Sequence, residues 1–111
     1  MAGADLAPAR ALVYSGVTIR ERGEMLCLTD MWRAAGADPS RHPTEWIRSA
    51  QAAEFIDHVL GVLRLSRDEA IQNVTGGADP GTWAHWQIGF AYATDLSPKF
   101  HAWCNSLVRQ R

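Results

Sequence analysis

The stretch GGADPGTWAH, residues 76–85, interrupts this chain more sharply than any other. Its first six positions hold four glycine or proline residues, and Trp83 and His85 follow just ahead of an apolar run. Glycine gives access to φ > 0 and proline lacks an N–H, so regular structure breaks here. A Gly-rich loop before a helix can cradle phosphate, form the tip of a hairpin, or simply turn.

Periodicity on either side sets the elements. In VYSGVTIRERGEMLCL, Val17 and Ile19 share one face, Arg22 and Gly23 read as a turn, and Leu26 and Leu28 share a face again. Alternation about a glycine turn predicts a hairpin. Thr29 and Asp30 then read as a hydroxyl N-cap and a first-turn carboxylate, with Gly36 ending the short helix. A Pro-punctuated loop leads to a helix start near Pro43 or Thr44, and Ser49 suits a break and a new cap. Ile56, Val59, Leu60 and Leu63 recur at i, i+3, i+4 and i+7, the mark of an amphipathic helix.

EAIQNVTGG reads as a strand carried by Ile71 and Val74. Beyond the glycine loop, residues 86–96 form an Ala-rich helix, and Ser97 with Pro98 caps the next one. That last helix shows a stripe of Phe100, Trp103, Cys104, Leu107 and Val108. The class is α+β, with more helix than strand.

At 111 residues the chain fits one domain, expected over residues 11–111 behind a loose arm at residues 1–10. No segment approaches the ~20 apolar residues of a membrane span, and the start lacks a secretory h-region. Cys27 and Cys104 are too few for a disulfide framework, so both read as reduced core residues of a cytoplasmic protein. The formal net charge of −1 argues against a strongly electrostatic nucleic-acid binder. Ten of the eleven cations are arginines, planar forks able to hold phosphate or guanine with two bonds.

His101 and Cys104 lie three apart on one helix face, but a structural metal site needs further ligands, so no metal is expected. The glycine loop lacks the Lys-Ser/Thr ending of a P-loop, and no nucleophile elbow is present. No enzyme, no cofactor and no small-molecule substrate are expected. Of the five tryptophans, Trp32, Trp46 and Trp103 read as core anchors, and Trp83 or Trp86 as the residue pinning the glycine loop. SRHPTEWIRSAQ is the segment that suggests a ligand: Arg41, His42, Thr44, Arg48, Ser49 and Gln51 supply donors around a helix start, opposed only by Glu45. A solvated helix face explains the same residues.

Three further stretches weigh against that plain reading. LTDMWRAAG, then PTEWIRSAQAAEFI, then GGADPGTWAHWQIGFAYATDLSPKFHAWC resemble the KilA-N domain of phage and DNA-virus proteins, over about residues 28–107. The GTW-to-LSPKFHAW block is the most specific part. The resemblance implies a winged-helix-like α+β fold, similar to fungal APSES domains, that binds DNA. It sets Arg48 at the family's W-L-R arginine, and Gly76, Gly77, Gly81, Thr82 and Trp83 at its hairpin motif.

On this resemblance the glycine stretch is a hairpin tip rather than a phosphate cradle, with Thr75 and Thr82 offering hydroxyls. The function it implies is that of a phage or prophage regulatory protein contacting double-stranded DNA. Residues 41–51 and the hairpin, Thr75, Gly76, Gly77 and Thr82 included, would make the contacts. The alternative is the same fold used as a protein-interaction or dimerisation module, with a homodimer left open as a partner.

Overall fold

The computed structural model describes residues 12–77 and 79–110; the arm expected over residues 1–10 lies outside them. The first elements are two short hairpins. β1 (Leu12–Tyr14) pairs with β2 (Val17–Ile19), and β3 (Glu21–Arg22) pairs with β4 (Met25–Cys27). Ser15 and Gly16 close the first with φ of 51° and 79°, the paired positive values that a two-residue primed turn demands. This corrects the single hairpin expected across Gly23. The strand of Val17 and Ile19 turns back on Leu12–Tyr14, because the Ser15–Gly16 turn is the nearer reversal. Arg20, bonded through its own N–H to Asp30, then separates β2 from β3.

β4 runs straight into α1 (Leu28–Ala34), so Leu28 is helical rather than extended. The cap expected from Thr29 is not formed: Cys27 holds the N-cap position without a side-chain bond, and the Thr29 hydroxyl accepts the Thr82 N–H instead. Gly36 follows the helix with φ of 113°, as a C′ glycine should. A 3₁₀ turn (Pro39–Arg41) leads to α2 (Pro43–Arg48), and Ser49 separates it from α3 (Ala50–Leu63), as its spacing predicts. Glu69 and Ala70 belong to a short helix, α4 (Arg67–Ala70), not to the strand expected there. Ser66 and Glu69 cap each other's backbone N–H groups and hold those residues helical.

The strand proper is β5 (Ile71–Val74), returning as β6 (Gly81–His85) into α5 (Trp86–Leu96) and α6 (Pro98–Gln110). The sheet order is β3-β4-β6-β5, all antiparallel, which puts β6 in the middle beside β4. The architecture is therefore α+β. The core gathers Leu26, Leu28 and Met31 against Ile56, Val59, Ile88, Tyr92, Leu96 and Phe100. Burying each such side chain contributes about 1.5–3 kcal/mol. Gly89 lets α5 close on the sheet, since a Cβ there would sit 3.1 Å from a Leu26 methyl. Ser97 caps α6 by accepting the Phe100 N–H at 3.0 Å, with Pro98 at the first helical position. Phe100 and Cys104 of its apolar stripe are buried and Trp103 is half-buried; the side chains of Leu107 and Val108 lie outside the described part. The tryptophans divide differently from the expectation. Trp83 is the fully buried one, whereas Trp32, Trp46 and Trp103 pack against the core from its margin.

Candidate nucleic-acid interface

Two surfaces carry the residues singled out from sequence. The first is the β5–β6 hairpin. Its strands pair from Ile71↔Ala84 to Val74↔Gly81, so residues 75–80 form the connection. Gly76 and Gly77 are exposed at the tip with φ of +72° and +75° and open space around both. Only glycine takes these angles readily, and the bare backbone can approach another molecule closely. Thr75 is exposed beside them.

Below the tip the loop is held. The Trp83 indole donates to the Asp79 carbonyl at 3.1 Å, and Arg20 Nη2 donates to the Pro80 carbonyl at 2.8 Å. Trp83 is only 1% exposed, and the guanidinium groups of Arg20 and Arg22 lie 5.3 and 4.7 Å from its ring. Such cation–π contacts add to the packing. Gly81 has a spatial reason: a Cβ there would meet the Cys27 sulfur at 3.0 Å and Arg20 Nη2 at 3.5 Å. Thr82 points inward, its N–H on the Thr29 hydroxyl at 3.0 Å and its own hydroxyl on Asn73 Oδ1 at 2.9 Å. Asp30 completes the cluster, accepting the Arg20 N–H at 2.9 Å and Nε at 2.8 Å. Burial acts to raise its pKa, but the Arg20 hydrogen bonds outweigh that and hold the carboxyl below the usual aspartate range. The Thr-Asp pair of α1 and the Gly-Thr-Trp of β6, joined across 53 residues by the Thr82–Thr29 bond, thus form one assembly.

The second surface is the junction of α2 and α3. The loop before α2 is fixed by Trp32 Nε1 on the Asp38 carbonyl at 2.7 Å and by the Tyr92 hydroxyl on the Arg41 carbonyl at 2.5 Å. The Arg41 guanidinium donates to the main-chain oxygen of Asp95, and its carboxylate neighbours are Asp95 at 3.5 Å and Asp38 at 3.8 Å. His42 caps α2, its Nδ1 accepting the Thr44 N–H and lying 2.8 Å from the Thr44 hydroxyl. Ser49 caps α3 through the Ala52 N–H and donates to the Trp46 carbonyl. Arg48 stands out with 77% side-chain exposure and one Glu45 carboxylate 3.7 Å away. Gln51 is exposed beside it on the first turn of α3.

Of the ten site residues expected from sequence, Arg41, Arg48, Gln51, Thr75, Gly76 and Gly77 are exposed, His42, Thr44 and Ser49 are half-buried, and Thr82 is buried. Arg41, His42, Ser49 and Thr82 are engaged within the fold. Sequence reasoning missed Arg20, Arg22, Asp30 and Asp79, whose partners lie up to 60 residues away. No local spacing signals such a cluster.

The KilA-N domain model matches residues 11–111. The chain belongs to the KilA-N domain family. KilA-N domains bind DNA. Of the motifs noted in the sequence, Arg48 and the glycines at 76 and 77 lie on the two surfaces just described, while the LSPKFHAW block runs into α6. No curated protein and no solved structure matches this KilA-N chain. Among its described residues no helix is long and apolar enough to cross a membrane, and no cluster of three or more His, Cys, Asp or Glu could hold a metal ion. Cys104 is buried in the core, and burial pushes its thiol up to about 12.

Proposed function

We propose that this KilA-N domain binds double-stranded DNA as part of a phage or prophage regulatory protein acting in the cytoplasm. In this reading, Arg48 and Gln51, with Thr44 behind them, approach one groove. Gly76, Gly77 and Thr75 lie against the neighbouring backbone as a wing. The observation that carries it is a bare, exposed glycine tip on a loop held firmly at its base, within a family that binds DNA. Arg22 joins the contact set, because it is half exposed at the wing's base and tethered to Asp79 by a long 3.5 Å bond. Phosphate contacts would set affinity, and few side chains remain to read bases. Arg41, His42, Ser49 and Thr82 shape the surface from behind.

A gel shift on mixed-sequence duplexes at low and moderate salt tests this reading. The parent should shift DNA, with affinity falling steeply as salt rises. Loss of neither affinity nor slope on replacing Arg48 and Gly77 together would overturn it.

One observation favours a second reading, a protein-interaction module. Phe55 and Val62, 40% and 64% exposed, border grooves between α3 and α5 lined also by Trp86 and Phe90. With a net charge of −1, a chain that fails to shift DNA but self-associates or captures a partner through that face would fit it better.

A further inference from the structure

Arg20 lies outside every motif and outside the proposed contact set, yet one guanidinium joins four segments of the chain. Its Nε meets Asp30 on α1 at 2.8 Å. Its Nη2 reaches Cys27 Sγ on β4 at 3.3 Å and the Pro80 carbonyl of the hairpin loop at 2.8 Å. Its plane lies over Trp83 on β6. Asp79 of the same loop faces Nη1 at 3.9 Å.

We propose that Arg20 is the positioning residue of the wing. It holds the loop's descending arm against α1 and fixes where the tip of Gly76 and Gly77 meets DNA, without touching DNA itself. The proposal rests on the DNA-binding reading above.

Three features support it. First, the anchor is rigid. The Asp30 side chain is 6% exposed and accepts both the backbone N–H and the Nε of Arg20, so the guanidinium cannot swing as a surface arginine does. Second, the grip on the loop is double. Two consecutive carbonyls, Asp79 and Pro80, are taken by Trp83 and Arg20, while open space lies where a Cβ of either tip glycine would project. Third, the return strand starts against the same cluster: the Cβ that Gly81 lacks would crowd Cys27 Sγ at 3.0 Å, the sulfur that Arg20 Nη2 reaches, and would lie in ordinary contact with Nη2 at 3.5 Å.

The charge of Arg20 is already matched by Asp30, with Asp79 alongside, so its part in binding is geometric rather than electrostatic. A loop ordered before binding spares the ordering cost at the moment of binding. Lysine cannot substitute, since a point charge on a flexible stem does not reproduce a fork that bonds carboxylate and carbonyl together.

The test compares Arg20→Lys, Arg20→Ala and Asp30→Asn in the full chain, with Gly77→Val as the wing control. Three quantities are read: thermal midpoint, hydrogen exchange of the amides around Asp79 and Gly81, and affinity for a labelled mixed-sequence duplex across a salt series. Arg20→Lys should exchange faster in the loop and bind roughly tenfold more weakly, with an unchanged log–log salt slope. Asp30→Asn adds net positive charge, which alone would strengthen binding; positioning requires that it weaken binding instead. This second variant decides the matter if Arg20→Lys folds poorly.

Parent-like affinity for Arg20→Lys and Asp30→Asn while Gly77→Val binds weakly would overturn the proposal. So would a slope that drops by about one in Arg20→Ala and recovers in Arg20→Lys, which marks a direct phosphate contact. If Gly77→Val binds like the parent, the wing reading itself fails. Loop exchange in Arg20→Lys then still decides whether Arg20 holds the loop, and parent-like exchange sinks that as well.

Discussion

The hairpin and the α2–α3 junction present similar polar residues but are built on opposite plans. In the hairpin, side chains hold the loop's main chain: Trp83 of the return strand and Arg20, 60 residues from its partner, take the Asp79 and Pro80 carbonyls, and Gly76 and Gly77 present bare backbone beside the exposed Thr75. At the junction, local side chains hold their own helix ends, with His42 on Thr44 and Ser49 on Ala52, and the exposed Arg48 and Gln51 are what remains for a partner. Each region also has an anchor of the other kind: Trp83 is only four residues from Asp79, and the Tyr92 hydroxyl reaches the Arg41 carbonyl across 51 residues.

The largest effect that would break this contrast is on stability. Trp83→Ala removes a fully buried ring and the indole bond to Asp79, and a loss of about 3–5 kcal/mol is expected from urea unfolding. A midpoint near the parent's would mean that the hairpin is merely draped on the sheet. Ser49→Ala removes a local cap and should cost about 1 kcal/mol while leaving the salt dependence of DNA binding unchanged. Arg48→Ala reverses that pattern. Its 77% exposure predicts a stability change within about 0.5 kcal/mol, but a log–log salt slope shallower by about one if it meets a phosphate. Anisotropy titrations on one duplex at several salt concentrations separate the two variants.

The smallest effect concerns His85, which ends the hairpin's return strand and caps α5 through Nδ1 on the Gln87 N–H. Burial lowers its pKa, with Glu24 opposing. The unfolded chain therefore takes up a proton near the ordinary histidine value of about 6.5, where the folded one does not. Stability is then level above that pH and declines as pH falls from there through the lowered folded value. A slightly lower thermal midpoint at mildly acid pH is expected, and His85→Asn, which retains a capping oxygen, should flatten it. Asp30 works in a separate window. Its folded pKa is depressed, so its contribution is lost only as pH falls below the usual aspartate range.

Sequence periodicity located α2, the break at Ser49, α3, α5 and the Ser97 cap, because each depends on residues within a few positions of one another. The Ser66–Glu69 capping box is equally local, but it adjoins the stronger β pattern of Ile71 and Val74, which masks it. The first hairpin was misassigned for a different reason. Val17 and Ile19 alternate properly for either partner strand, and only the turn at Ser15 and Gly16 decides between them. For the candidate interface, residue type and the family's motifs pointed to Arg48, Gln51 and the glycine tip. Neither could separate them from Arg41, which sits among Asp95 and Asp38 for tertiary reasons. The Arg20 cluster was out of reach altogether, since it depends on where Pro80 and Asp30 meet in space.

Tyr14, on the first strand, packs its ring against Phe100 and Trp103 of α6 at 5.0 and 5.2 Å. Closing a contact of that span carries a loop entropy that no local element offsets. On a ribosome, which makes the chain from its N-terminus, the β1–β2 hairpin emerges long before the helix that covers it. Its apolar face stays uncovered until α6 has emerged, so this contact is among the last of the domain to close. Chaperone contact with nascent chains should accordingly concentrate on the segment from Leu12 to Ile19.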